Sequence, residues 1–368
     1  MRHLLSSGEV ASTVVAPVPW FPVEHPMFGR YASFARVPGE ERSHGITILH
    51  PRYPVIPKLG MSSAPVLMYA ALRKFMAMIL QTRFPFDLID AHYFYPDGVA
   101  AALLGRSLGK PVVITARGTD VNLIADFRLP RRWIRWAAAR AAGIVTVSEA
   151  LRERLLELGL RGSPIEVLRN GVDLELFAPQ DRAAARRALG LRADGPIVLS
   201  VSALVPFKGL DLIIRAVAAL KNASLLLVGD GPEGPALRHL AETLQLRKSV
   251  WFLGSMPQQR LAAVYSAADV LVLASAREGF PNVLLEALAC GTPVVAAALG
   301  GGPEIVREGA AGRLVEERSP EALARAISEL LADPPARAAV RAYAQRFDWS
   351  PTTAGQIRMF KSILDRPR

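Results

Sequence analysis

Glu278-Gly279-Phe280-Pro281-Asn282-Val283-Leu284-Leu285-Glu286, running on through Ala287 to Val295, decides how this chain is read. It puts one carboxylate in a loop ahead of a helix and a second inside that helix, eight positions later. Before it, residues 269–274 (DVLVLA) are short, apolar and rich in Val and Leu, the composition of a buried strand. Pro281 and Asn282 open the helix, since Pro is tolerated at the first position and Asn can cap. Cys290-Gly291-Thr292-Pro293 closes it, and Val294-Val295 begins the next strand. The N–H groups of Asn282 to Leu284 then face the loop and favour a negative group such as phosphate. A carboxylate beside such a site is suited to hydrogen bonds from hydroxyls, on a ribose or a sugar. A nucleotide-sugar carries both kinds of group.

The same alternation of strand, turn and helix extends outward in both directions. Downstream of residue 195, β-rich runs fall at 197–203, 225–228, 250–253, 269–274 and 294–297, with a helix pair at 320–331 and 336–346. Upstream, short runs at 10–16, 87–93, 111–115, 143–147 and 165–168 are separated by helical patterns such as 66–81, 98–108 and 150–158. This pattern predicts an α/β fold with parallel sheets covered by helices on both faces. The Pro-rich region 17–65 reads as irregular, with a strand at 46–49. A polar Arg- and Ala-rich segment, 179–195, contains a helix and leads into the second half.

Composition sets the remaining bounds. At 368 residues the chain holds two domains, and 51% hydrophobic with 21% charged residues makes it globular. A single cysteine, Cys290, excludes an intrachain disulfide framework and reads as a small buried residue. No apolar run reaches bilayer-spanning length by sequence, and the six histidines lack metal-ligand spacing, so no metal is expected. The net charge of +11 is uneven: residues 1–172 hold 21 Lys+Arg against 13 Asp+Glu. That basic half suits an anionic membrane surface or acceptor better than nucleic acid, for which no recognition module is present. Arg128-Leu129-Pro130-Arg131-Arg132-Trp133-Ile134-Arg135-Trp136 fits a helix resting on a head-group layer or, equally, one packed on its own sheet.

The ordered motifs resemble those of the retaining GT-B glycosyltransferases, specifically glycosyltransferase family four (the "glycosyl transferases group 1" domain). The central stretch looks like its E-x7-E motif. Lys208-Gly209, Gly229-Asp230-Gly231-Pro232 and Gly300-Gly301-Gly302-Pro303-Glu304 follow in the family's order, and Asn170-Gly171-Val172-Asp173 stands near the expected domain junction. Singly, a KG pair or GDGP turn says little; the order and spacing carry the resemblance, from residue 10 to the C-terminus. It implies two doubly wound Rossmann-like domains facing across a cleft. Residues 1–174 would form the acceptor-side domain, with 352–368 crossing back to it, and 175–351 the donor-binding domain. Such relatives begin with a further strand, a Gly-rich loop and a long helix. Here Met1 to Ser7 reads as the end of that helix, so the first strand of the N-terminal domain is missing. Dropping a central strand leaves its neighbours' backbone groups unpaired. The expectation is therefore a true start upstream of Met1, or else a truncated form.

What the resemblance implies for individual residues follows from these matches. Lys208 neutralises the departing diphosphate, and Glu278 lies at the donor sugar's hydroxyls and reacting face; these two are the catalytic candidates. Glu286 holds the donor ribose, and Gly279, Phe280, Pro281, Asn282 and Val283 supply backbone donors. Gly254, in Gly254-Ser255-Met256, lies by the base, although a plain turn explains it as well. Where the family often has an arginine five positions before the lysine, this chain has Ala203, with Arg277 or Arg307 as substitutes. Arg117 stands at a usual histidine, whose role cannot be carried over. Asp97, Asn170 and Ser148 are cleft candidates that capping or loop roles also explain. The implied function is metal- and cofactor-free retaining transfer from a nucleotide-diphosphate sugar to a hydroxyl of a glycan or lipid-linked acceptor. Its setting would be exopolysaccharide or cell-surface assembly, cytoplasmic and peripheral on the inner membrane face. The alternatives are a truncated, catalytically impaired nucleotide-sugar-binding protein and, disfavoured by E-x7-E, a sugar-nucleotide epimerase.

Overall fold

The computed structural model describes residues 1–20, 25, 27, 30–43, 45–55, 60–160, 162–191 and 195–366. Parts of the irregular region 17–65 and of the polar segment 179–195 therefore lie outside the described residues. The chain divides into two compact units: Met1–Leu168 with Ser350–Arg368, and Arg169–Trp349.

The first unit contains strands β1 (Val14–Val15), β2 (Val18–Trp20), β3 (Glu40–Ser43), β4 (Ile46–Leu49), β5 (Arg52–Pro54), β6 (Ile89–His92), β7 (Val112–Ala116), β8 (Gly143–Thr146) and β9 (Ile165–Val167). β6-β7-β8-β9 form one parallel sheet, while β1-β4-β3 and β2-β5 are separate small sheets. Every residue of β7 is buried, as a continuous Val/Ile run in the middle of a parallel sheet requires. The strand expected at 10–16 shrinks to Val14–Val15. Val10 packs instead against a cluster of Val113, Val145, Met359, Phe360 and Ile363, the last three from the helix Ser350–Leu364.

The helix expected at 66–81 starts earlier, at Gly60, and encloses Pro65. Proline removes the bond to the carbonyl four residues back, that of Met61. The Tyr95 hydroxyl donates to that carbonyl, which explains how the helix tolerates the proline. The helical stretch Met61–Arg83 is also long and apolar enough, by length and composition, to cross a bilayer, contrary to the sequence reading. In this fold its Met68, Leu72 and Met76 pack with Tyr53, Ala100 and Leu104.

The second unit is built on one six-stranded parallel sheet: β10 (Ile197–Val201), β11 (Ser224–Val228), β12 (Val250–Gly254), β13 (Val270–Leu273), β14 (Val294–Ala297) and β15 (Gly312–Val315), in the order β12-β11-β10-β13-β14-β15. Ile213, Ile214, Val217, Leu225, Leu227, Val270, Val272, Leu323 and Ile327 form its core. Asp269 is not part of the strand that DVLVLA suggests. Its carboxylate binds Arg182, Arg186 and the Ile197 N–H at 2.6–2.7 Å, tying the start of β10 to that of β13. β15 is absent from the sequence reading, because GRLV at a sheet edge is too short and too exposed to stand out. The strand order reverses between β10 and β13, so the chain leaves their carboxyl ends in opposite directions and opens a crevice there.

Candidate active site

The loops after β10 and β13 meet at that reversal. Pro206–Lys208 form a single 3-10 turn, and Gly209 follows at φ +64. A side chain on Gly209 would stand 2.5 Å from the Ala274 carbonyl, so only glycine lets the two loops close together. The Ala276 N–H donates to the Phe207 carbonyl at 2.7 Å, and Arg318 Nε to that of Ala274 at 2.7 Å. This stitching brings Lys208 Nζ to within 2.6 Å of Glu278 Oε1, with both side chains largely buried. The two catalytic candidates are thus one ion pair.

Beyond Glu278 the chain enters the helix Asn282–Ala289. The preceding loop rests on the glycine run: the Gly301 N–H donates to the Gly279 carbonyl at 3.1 Å. Three details correct the sequence reading. Pro281 has no N–H and donates nothing to a ligand; it occupies the cap position. The Leu284 N–H is taken by the Pro281 carbonyl at 3.0 Å, so Asn282 and Val283 present the N–H groups of the open end. Asn282 is not a cap: its Oδ1 accepts from Asn170 Nδ2 at 3.0 Å. The neighbouring Arg169 pairs with Glu304 of the glycine run at 2.6 Å, fixing the same corner a second time.

Glu286, on the second turn of that helix, accepts a hydrogen bond from the Tyr265 hydroxyl at 2.6 Å. Burial raises its pKa, while bonds from Tyr265 and Gln258 pull it back. Tyr265 is itself held well above its ordinary value by burial and by the Glu286 charge. The phenol therefore stays protonated and aims the carboxylate. Sequence reasoning missed Tyr265; an aromatic residue among the small and apolar residues that end the helix Gln258–Ala267 signals only packing. Cys290 is fully buried and pushed up to about 12 by that burial, an inert thiol as expected.

Gly254 ends β12, two strand spacings or roughly 10 Å from β10. Its carbonyl accepts from the Gly229 N–H at 2.9 Å, and Asp230 Oδ2 accepts from the Ser255 N–H at 2.8 Å. Asp230 of the GDGP turn thereby shapes the loop that contains Gly254, a role its sequence position alone does not reveal. Two open depressions elsewhere in this unit, one lined by Arg313, Arg325 and Glu329 and one by Arg182, Arg186 and Asp269, include none of these residues.

Asp97 and Arg117 belong to the first unit. Asp120, fully buried, accepts from the N–H groups of Phe94 (2.6 Å), Gly118 (2.8 Å) and Arg117 (3.2 Å), and so ties the loops after β6 and β7 together. Arg117 Nη2 lies 2.6 Å from His92 Nδ1. Burial lowers the Arg117 pKa and raises that of Asp97 to about 6. No side chain caps the helix Val99–Leu108, so capping does not account for Asp97. For Ser148 it does: its Oγ accepts from the Leu151 N–H, capping the helix Glu149–Glu157.

Comparison with known proteins identifies the family and the fold. Residues 181–347 match the family described as "Glycosyl transferases group 1", and residues 13–176 that described as "Glycosyltransferase Family 4". A D-inositol 3-phosphate glycosyltransferase of Mycobacteroides abscessus is 45% identical over 299 residues, covering 76% of this chain and 67% of the relative. Among solved structures, the sucrose-phosphate synthase from Thermosynechococcus elongatus shares the fold, with a TM-score of 0.80 over 98% of this chain and 91% of its own at 24% identity. HepE of Anabaena, solved with UDP-glucose, has a TM-score of 0.73 at 26% identity, covering 94% and 91% of the two chains.

Proposed function

The chain belongs to glycosyltransferase family four, with the GT-B fold, and from that premise we propose that it is a retaining enzyme using a nucleotide-diphosphate sugar. The observation that carries the reading is the Lys208–Glu278 pair beside the open end of the helix Asn282–Ala289. The Asn282 and Val283 N–H groups and the Lys208 ammonium favour a diphosphate, and Glu286, oriented by Tyr265, accepts from the ribose hydroxyls. HepE, solved with UDP-glucose, supports a donor of this class.

In the proposed reaction the bond from the anomeric carbon to the diphosphate oxygen breaks, and the acceptor oxygen bonds to that carbon on the same face. The acceptor's proton passes to the departing diphosphate. Charge grows on the diphosphate as it leaves, so Lys208 stabilises the transition state more than the ground state. Glu278, now paired with Lys208, meets the sugar hydroxyls when donor draws the lysine to its phosphates. No metal enters this scheme. The acceptor is a hydroxyl of a glycan or lipid-linked molecule, with assembly of cell-surface glycan at the cytoplasmic face of a membrane as the setting; the basic first half suits an anionic surface or acceptor.

Calorimetry with UDP, GDP, ADP and their glucose conjugates tests the donor, and product analysis with D-inositol 3-phosphate and lipid-linked glycans as acceptors tests transfer. Glu286→Ala should remove measurable donor binding, and Lys208→Ala should lower kcat more than donor affinity. Unchanged affinity in the first variant, or equal losses in the second, contradicts the assigned roles. A second reading, a donor-binding protein with impaired turnover, draws on Arg117 occupying the usual histidine position. Donor binding without product from any acceptor, and no donor hydrolysis, would favour it.

A further inference from the structure

Arg277 stands immediately before Glu278 and forms no ion pair among the described residues. Its guanidinium carbon lies 4.2 Å from the centroid of the Phe207 ring, and Lys208 Nζ lies 5.3 Å from the same centroid. The two cations therefore flank one aromatic side chain at the reversal of the sheet. Arg277 Nε is buried and makes no hydrogen bond. Glu278, the carboxylate of this corner, takes Lys208. Arg318 adds a third cation, its Nε on the Ala274 carbonyl and its Nη2 about 3.0 Å from the space above Gly209.

Lys208, Arg277 and Arg318 thus gather around Phe207 and Gly209, and of these Lys208 is the one paired with Glu278. A buried donor without an acceptor is unfavourable in a folded protein, and each such group calls for an explanation. Contact with the Phe207 ring restrains the guanidinium beside Lys208, and a guanidinium is the group that meets phosphate oxygens two at a time. Packing alone would account for the stacking but not for a cation placed beside Lys208 with its Nε unsatisfied. Ala203, exposed in the loop after β10, offers only a methyl group.

We propose that Arg277 is a diphosphate-binding residue, gripping the sugar-proximal phosphate of the donor together with Lys208. The proposal rests on the nucleotide-sugar reading above and adds to it a residue that tells a diphosphate from a monophosphate.

The test is calorimetric titration of the full chain with UDP, GDP and ADP and with the three matching monophosphates, followed by the same titrations on Arg277→Gln and Arg277→Lys. Arg277→Gln should weaken the diphosphate that wild type binds best by about ten- to hundredfold, with the monophosphate changed less than about twofold. Arg277→Lys keeps the charge and loses the planar fork, so it should fall between the two. Equal losses on mono- and diphosphate, or no loss on either, overturn the proposal. Unfolding of both variants in thermal melts also overturns it, by assigning Arg277 to packing. Failure of wild type to bind any diphosphate removes the nucleotide-sugar reading itself, whereas tight wild-type binding with an indifferent Arg277→Gln removes only this inference.

Discussion

Asp97 is lifted from the ordinary value of 3.8 to about 6, chiefly by burial and further by the Asp120 charge, while a bond from its own backbone opposes the rise. The consequence for stability has a definite sign. Between roughly pH 4 and pH 6 the folded chain keeps the Asp97 proton that the unfolded chain has already lost, so stability falls as pH rises through that window. Asp97→Asn should flatten the fall and, above pH 6, be more stable than wild type by roughly 2–3 kcal/mol at most. Urea midpoints at pH 4, 5, 6 and 7 measure this; parallel curves for the two proteins would falsify it. Glu286 is also raised by burial, but it remains in both proteins and cancels in the comparison; Asp120, raised chiefly by burial, loses a like-charged neighbour in the variant, which flattens the fall further. At this scale the candidate residues could be picked out from the sequence. Lys208, Glu278 and Glu286 stand in a motif whose spacing is visible in one dimension. Their partners were not: nothing in the order of residues pairs Tyr265 with Glu286, Asn170 with Asn282, or Phe207 with Arg277. Those pairs depend on which strands lie side by side.

Among the elements, the glycine run before the helix Gly302–Ile305 is the part of the site most sensitive to change. Gly300 sits at φ +56, and a Cβ there would lie 2.2 Å from the Glu278 carbonyl oxygen. Gly300→Ala therefore meets both a strained backbone and a collision with the loop that carries Glu278. We expect a stability loss above about 1 kcal/mol and a larger proportional loss of donor affinity, read by thermal melts and calorimetry on the same preparation. A variant that melts lower but binds donor as tightly as wild type would show that the run supports the fold and not the loop. Element type was well forecast wherever an apolar run was flanked by turn residues, as for β10, β11, β13 and β14. Boundaries slipped where a tertiary contact decided them. Asp269 leaves its strand because two arginines claim its carboxylate, and Pro65 enters its helix because Tyr95 satisfies the Met61 carbonyl.

Over the whole molecule, the two units differ in how completely their strands are joined. In the second unit six strands share one sheet. In the first, β6 pairs only with β7 and β1 only with β4, and among the described residues no strand bridges β1 and β6. β7, paired on both sides and buried throughout, should hold the slowest-exchanging amides of that unit, and β1 and β6 should exchange much faster. Hydrogen exchange followed by mass spectrometry checks this. Protection in β6 equal to that in β7 would count against the open edge. Apolar periodicity and turn residues were enough, without any coordinates, to specify parallel α/β architecture, because those signals are local along the chain; Lys208, Glu278 and Glu286 were singled out by the resemblance of their ordered motifs to a family. Tertiary structure alone decided the strand order that places the β10 and β13 loops together, the Lys208–Glu278 pairing and the protonated phenol behind Glu286. Contacts between residues 21 to 135 positions apart arise only when the backbone hydrogen bonds of the sheet select which loops become neighbours.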